Sequence, residues 1–563
     1  MNKPLLGSLA LAAILYSDVS AATIYERFET MEAEVQRLQS EVKELKAEKE
    51  DADTEEEAEE IEEDSPEDGD EDEDEDEDDD EDEEEDINDI IAEMQEEITD
   101  LTKATAGNHL KLGIDFRTSY DNVRYKMAGT TITPYGSSDP TTGISSPLSG
   151  PIANSVSKNQ KNNSLFSNRL WLDMNWAANE NISFTGQLAY NKTYGGRFGN
   201  NSDLGGQFED FDWFANENAN GDGNVRVKSA YWFYRNETFL GTDIPWTFSI
   251  GRRPSTNGHL VNLREDDQAA SPSGHSINVE FDGLSSKFGL EKLTGVEGMY
   301  IKLCAGQGVS TASAKFSSSP ASNNADSTGV DDVHLAGFIF VPYADGQYSV
   351  GTQFYGASNL PGQNLNALGS VTGLTQAGDL YSGSMYVMMN GIGDEWTDFL
   401  DDTTFFLSGS MSRTNPDDRT DQFGQKQAML GSTEMENGYS YWAGLQMPSL
   451  VSEEGRFGIE FNHGSKYWRP ITYGEDSVIG SKVAARGDAY EIYFTEPLVD
   501  DILSLQIRYT YIDYDYTGSN GFFGNASGAP FKISELEGTA AANNSGNVVD
   551  VAQDLRIYLR YRY

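Results

Sequence analysis

Residues 551 to 563 read Val551-Ala552-Gln553-Asp554-Leu555-Arg556-Ile557-Tyr558-Leu559-Arg560-Tyr561-Arg562-Tyr563. From Leu555 the odd positions, Leu555, Ile557, Leu559, Tyr561 and Tyr563, are apolar or aromatic, while the even positions are Arg556, Tyr558, Arg560 and Arg562. A repeat of two puts successive side chains on opposite faces of an extended ribbon. One face suits hydrocarbon and the other water, as in a strand of a transmembrane barrel. A strand of a soluble sandwich also alternates, so the rest of the chain has to decide.

Position adds to the case. An aromatic closing an alternating C-terminal strand resembles the signal that outer-membrane assembly machinery reads, which makes Leu555, Ile557, Leu559, Tyr561 and Tyr563 the expected assembly signal. At the other end, Lys3, the apolar run Leu5 to Tyr16 and the small residues Val19-Ser20-Ala21-Ala22 predict a secretory signal peptide over 1–22. That run falls short of the ~20 residues that cross a bilayer as a helix, and no later stretch reaches that length. A membrane form of the chain therefore has to span as strands, because only helices and closed barrels satisfy their backbone groups in lipid.

Cys304 is the single cysteine, which excludes an intramolecular disulfide. The formal charge of -55 over 563 residues is mostly local. Residues 51–86 hold 29 acids and no bases, whereas from Ala104 onward 51 acids face 32 bases. A nucleic-acid partner would need a basic footprint, and none is present.

The N-terminal arm divides by pattern. Ile24, Phe28, Met31, Val35, Leu38, Val42 and Leu45 alternate spacings of four and three, predicting a coiled-coil helix over 23–50 or, as the alternative, one amphipathic helix. The acidic low-complexity segment 51–86 repels itself and is expected to be solvated, a spacer or a strip for a basic periplasmic partner or divalent cations. It has no EF-hand-like spacing. Ile87, Ile91, Met94, Ile98 and Leu101 predict a second short helix, so that 87–108 is helix and hinge.

Over 109–563 short alternating runs are separated in turn by tight turns and long Gly/Ser/Asn-rich loops. That asymmetry marks an outer-membrane β-barrel. Counted in order the runs number sixteen, within two: 109–127, 164–177, from Ile182, 225–235, 246–252, one inside 277–293, 299–306, 333–343, 347–358, 380–390, 403–414, 438–447, 456–468, 487–497, 502–517 and 551–563. The fold class expected is all-β, a transmembrane antiparallel barrel preceded by a helical arm. At this size wall side chains do not fill the interior, so a water channel is expected unless something plugs it.

The parity opposite the apolar face supplies the expected lumen: Lys111, Asp115, Arg117, Arg169, Asp173, Arg226 and Lys228 in the first half, then Lys302, Glu460, Glu491, Arg508, Asp513, Arg556 and Arg560. Charges at those positions argue for water, since unpaired buried charge is costly. The loop after the fifth strand carries Arg253, His259, Arg264, Glu265, Asp266, Asp267 and His275. Acids there, facing wall arginines, would set a field across a constriction and select by charge. A solvated external loop is the plain alternative, and a metal site from its His, Glu and Asp residues lacks any diagnostic spacing. Trp171, Tyr231, Trp232, Phe233, Tyr467 and Trp468 are candidates for interfacial girdles. Trp171 and Trp232 fall on the inward parity and offer a sugar-stacking path instead.

Four stretches carry a family resemblance: Gly251-Arg252-Arg253-Pro254-Ser255-Thr256-Asn257-Gly258, Phe338-Ile339-Phe340-Val341-Pro342-Tyr343, Asn462-His463-Gly464-Ser465-Lys466-Tyr467-Trp468 and Tyr516-Thr517-Gly518-Ser519-Asn520-Gly521-Phe522-Phe523. They resemble an uncharacterised bacterial family of secreted, porin-like proteins with a helical N-terminus, defined by a domain of unknown function, over about 109–563. The layout of periplasmic coiled coil plus barrel is similar to trimeric sucrose porins, without a shared motif that would transfer sugar-binding residues. The acidic insert belongs to neither pattern.

Three functions follow as expectations. The leading one is a homotrimeric porin for passive diffusion of small hydrophilic solutes or ions, seated in outer-membrane lipid with its arm in the periplasm. A structural or scaffolding barrel is the alternative. A hydrolase would need a nucleophile beside a histidine, and none of the five histidines adjoins a recognisable Ser or Cys elbow. No cofactor motif is present: a Cys-x-x-Cys-His haem site is absent from the chain.

Overall fold

The computed structural model describes residues 110–128, 159–194, 222–310, 331–365, 371–393, 396–420, 426–452, 454–500, 502–524, 528–536 and 548–563. The expected signal peptide, coiled-coil helix, acidic segment and second helix lie outside the described residues.

The strands are β1 Leu110–Met127, β2 Gln160–Ala177, β3 Ile182–Thr193, β4 Asp222–Asn236, β5 Trp246–Ser255, the short β6 Gly258–His259 and β7 Ala270–Ser273, then β8 Val279–Gly289, β9 Tyr300–Val309 and β10 Val333–Ala344. They continue as β11 Tyr348–Leu365, β12 Val371–Asn390, β13 Thr404–Pro416, β14 Asn437–Pro448, β15 Arg456–Gly464, β16 Gly487–Val499, β17 Leu503–Tyr514 and β18 Val549–Arg562. All but β6 and β7 form one closed ring of sixteen, each strand antiparallel to its neighbours, with β18 returning to pair with β1. Every one of the sixteen expected runs overlaps a barrel strand. The tight connections, such as 178–181 and 345–347, lie at the end where β1 begins and β18 finishes, and the long ones, such as 256–278 and 465–486, at the other. In the 345–347 turn Gly346 takes φ 97°. The Asp345 carboxylate accepts from the backbone N–H groups of Gln347 (3.0 Å) and Tyr348 (2.6 Å), the local bond that makes Asp a turn former.

Exposure follows the period of two. In β18 Leu559 is 47% exposed and Arg560 3%, while Leu555 and Tyr561 share the outward face and Arg556 and Tyr558 the buried one. The same holds for Leu112, Ile114 and Phe116 outward against buried Asp115 and Arg117 in β1. An apolar outside around a charged inside inverts the soluble order and matches hydrocarbon as the outer solvent.

Two readings of parity are corrected. In β4 the pairing with β3 slips between Gln187–Ser229 and Leu188–Val227, so that the register skips Lys228 as one extra residue. A bulge of one residue moves every later side chain to the other face. Trp232 is therefore outward, packed on Phe248 at 5.5 Å between ring centres, and Tyr231 turns inward beneath Arg253 at 4.9 Å. Asp513 is outward as well, exposed on the face of Tyr509 rather than that of Arg508. Of the proposed girdle, Trp171 and Trp468 are buried, and the aromatic contacts near the short-turn end come instead from Tyr234, Trp246, Phe239 and Phe288. The sugar-stacking path falls with these positions, since Trp171 is covered by Arg169 at 3.5 Å from its ring.

On the inner wall aromatic rings lie over glycines of the adjacent strand. Tyr386 sits opposite Gly351, Phe406 opposite Gly444, and Tyr493 opposite Gly458. A Cβ on Gly458 would stand 2.0 Å from the Tyr493 ring, so only a missing side chain lets the ring lie flat on the wall.

Candidate functional site

The β5–β8 connection, residues 256–278, holds the charged stretch singled out from sequence. Its strands β6 and β7 run parallel, with a single helical turn, α1 Val261–Glu265, between them. Gly258 is required by close approach, as its Cβ would lie 2.0 Å from the Pro272 carbonyl oxygen. Leu260 (φ 78°) and Asp266 (φ 52°) flank α1 in left-handed backbone, at a cost of order 1–3 kcal/mol each that the contacts around them offset.

Those contacts locate the segment. The Ser273 N–H donates to Gln353 Oε1 on β11 at 3.0 Å, and Glu265 lies 3.8 Å from Arg117 on β1. In the ring of sixteen, β1 and β11 stand eight places apart, on opposite sides of the barrel. A connection that touches both crosses the lumen.

Three kinds of contact hold it there. Leu260 and Val261 pack on Trp442 and on Tyr386 and Phe406, two of the rings that the wall glycines admit. His275 is fully buried, its two ring nitrogens 2.8 Å from the hydroxyls of Ser408 and Ser440, between the edges of Trp442 and Trp468. Burial pushes this imidazole down to about 3, so it is neutral and one nitrogen donates while the other accepts. Among the described residues its neighbours are hydroxyls, Asn462 and indoles rather than a carboxylate, which makes it a clamp rather than half of a nucleophilic pair.

The third contact is ionic. Glu265 meets Arg264 at 2.8 Å and Arg508 of β17 at 3.0 Å. Burial and the neighbouring Asp476 push its carboxyl up, but Arg264, Arg508 and Arg117 outweigh them and hold it at about 2. Asp267 bridges Arg560 and Arg562 of β18, each at 2.9 Å. Burial dominates there and raises the Asp267 carboxyl even so. Asp266 lies 3.3 Å from Arg562 and stays exposed.

Sequence reading missed a second inward connection, residues 465–486. Asp476 is its hub, with Arg117 on both carboxylate oxygens (2.5 and 2.7 Å), Arg556 at 3.0 Å, and its carbonyl accepting from Arg508 at 2.7 Å. Burial would raise this carboxyl; Arg117 and Arg556 hold it well below the usual range. Glu475 joins the two connections through Arg264 at 2.7 Å. Lys482 contacts Glu460 at 2.6 Å and also Glu491. Arg486 donates to the carbonyls of Trp468, Thr517 and Gly528, tying in the connection that follows β17. The available signal was an imbalance: Arg117, Arg169, Arg508, Arg556, Arg560 and Arg562 on neighbouring strands outnumber the inward acids there, and the deficit is met from loops.

The structure thus gathers Arg117, Arg169, Arg264, Glu265, Asp266, Asp267, Arg508, Arg556 and Arg560 into one network, closed across the β1–β18 junction by Arg556–Asp121 and Arg560–Asp115, both 2.5 Å. Lys228 stands apart with Glu280 at 2.5 Å, and Arg226 faces inward opposite Ala189. Arg253 and Lys302 sit at the root of the first connection. The inference from charge to water is corrected accordingly: these charges are paired with the chain's own inward connections. Among the described residues no three His, Cys, Asp or Glu side chains group as metal ligands.

A closed antiparallel ring with an apolar exterior, crossed by its own connection, defines a porin-like transmembrane β-barrel. The chain belongs to the family described as protein of unknown function (DUF3373), matched over residues 159–563. No curated protein matches it. Among solved structures it is similar to outer-membrane expressed OmpT of Vibrio cholerae, with 11% identity over 81% of this chain and 97% of that one, at a TM-score of 0.39. An anion-selective porin from Comamonas acidovorans gives 11% identity over 81% and 99%, also at 0.39. Salmonella typhi OmpF, in complex with daunomycin, gives 12% over 81% and 98%, at 0.36.

Proposed function

We propose that the protein is an outer-membrane porin through which small hydrophilic solutes or ions diffuse passively. It would act as a homotrimer in outer-membrane lipid, delivered there by assembly machinery that reads Leu555 to Tyr563, with a coiled-coil arm in the periplasm. The observation that carries the reading is the 256–278 connection reaching from β1 to β11 inside a sixteen-strand barrel, a size that leaves a lumen to be narrowed. The network on β1 and β16–β18 fixes that connection to one wall, and half-buried polar groups on β2, β3, β8 and β9, among them Asp173, Gln187, Lys287 and Lys302, line the rest.

Planar-bilayer recording of purified protein tests this. Ohmic steps in threes support the trimeric pore. A folded but silent barrel favours the second reading, a structural anchor whose acidic segment 51–86 engages a basic periplasmic partner or divalent cations. The density of ion pairs around Asp476, which plugs one side of the lumen, speaks for that second reading.

A further inference from the structure

Arg253, near the end of β5, lines a small cavity with Pro254, Pro272, Lys302, Cys304 and Gln353, of about 50 Å³. Its Nη1 is buried with no hydrogen-bond partner, while its guanidinium lies over the Tyr231 ring. Lys302 donates one proton to Ser271 Oγ at 2.8 Å. Directly across the β8–β9 ladder from Lys302 stands Lys287, whose ammonium lies 3.9 Å from the Tyr300 ring. Like charges paired in register repel, so the wall places two lysines together against its own stability.

The nearby acid does not relieve them. Glu280 is engaged by Lys228 at 2.5 Å and Arg252 at 3.5 Å, and among the described residues no carboxylate pairs with Arg253, Lys287 or Lys302. Around Asp476 and Glu265 the interior meets cation with anion, and the buried Arg469 and Arg486 are met by backbone carbonyls. Here a buried donor with no partner, a second cation and a small cavity coincide without a carboxylate.

We propose that this cavity is a binding site for a small monovalent anion of halide size, held between Arg253 and Lys302 at the root of the lumen-crossing connection. The volume suits that occupant: a single water needs ~10–15 Å³, so 50 Å³ takes one halide with a water or two. Cys304 supplies a polarisable wall, and the Arg253 N–H that lacks a partner supplies the directed bond. The site's role as a step in permeation rests on the porin reading; its existence does not.

Chloride-35 line broadening on the folded full-length barrel in detergent tests the site directly, with sodium chloride as the probe. Wild type is expected to give excess linewidth that falls when Arg253→Gln or Lys302→Gln is introduced, with affinity lower by about fivefold, the factor for losing one unit charge ~4 Å away in water. Arg253→Lys keeps the charge and should retain most of the broadening. Heat-modifiable gel mobility confirms folding, and Lys302→Gln carries the test if Arg253→Gln does not fold. Equal broadening in wild type and variants overturns the proposal, and so does sulfate displacing chloride as well as chloride displaces itself. Bilayer recordings separate the two readings: broadening with silent bilayers removes the pore and keeps the site, whereas conductance with unchanged broadening in the variants keeps the pore and removes the site.

Discussion

Asp476→Asn is the substitution that puts most of the interior at risk. The carboxylate holds Arg117 through two bonds and Arg556 through one, and all three side chains are essentially inaccessible to solvent. Asparagine keeps the shape and removes the charge, leaving Arg117, Arg508 and Arg556 close together around a neutral amide. Removing one partner from a buried pair costs about 3–5 kcal/mol. The barrel wall is held by its own ladders, so the cost falls on docking of the 465–486 connection and raises its undocked population about 10²–10⁴-fold. Limited proteolysis should then cut within 465–486 in the variant and not in wild type, and single-channel records should become larger or noisier. Adding Arg117→Ala should recover part of the loss, because one uncompensated charge is gone. Acid should act on wild type only late. The folded-state carboxyl of Asp476 lies well below its ordinary value of 3.8, so its contribution is complete above that value and is lost as pH falls through the lower one. Glu265 behaves alike, complete above 4.5 and lost toward about 2. Protease resistance and conductance indistinguishable from wild type in Asp476→Asn would refute this account of the plug.

Asp266→Asn with Asp267→Asn should shift the permeability ratio toward anions, since Asp267 neutralises Arg560 and Arg562; an unchanged reversal potential in a salt gradient would remove the connection from the selectivity path. Because burial already raises the Asp267 carboxyl, Asp267→Asn should cost less stability in urea melts than Asp476→Asn. Gly458→Ala forces a methyl into the Tyr493 ring and should cost about 1–3 kcal/mol, seen as a smaller heat-modifiable fraction after refolding. Tyr563→Ala leaves its backbone bonds to Ile114 intact, so refolded protein should conduct normally while yield in the outer membrane falls; equal yields would rule out the assembly signal.

The barrel was legible because its pattern is local. Each wall residue chooses between oil and water, and that choice repeats every second position, so sixteen strands follow from alternation and turn residues. Legibility failed at Lys228, where one inserted residue inverted Tyr231, Trp232 and Phe233 without any Gly or Pro to announce it. The first inward connection was found through Glu265 and Asp267, acids too concentrated after the fifth strand to overlook. Asp476 was not, because its importance lies in partners 359 and 80 residues away, Arg117 and Arg556, which no window along the chain brings together. Charge at a lumen position says only that a partner exists, and water and a folded-in loop satisfy that need equally in sequence.

The first and last strands of the ring are separated by most of the chain, and Asp121–Arg556 and Asp115–Arg560 bolt them together with ion pairs that neither strand can make alone. An open sheet would leave those arginines facing acids not yet delivered, and the connection bearing Asp476 would have only half a berth. Zipping the circle shut and seating its stopper are therefore coupled, and their contacts, among the longest-range in the chain, are the slowest to gather.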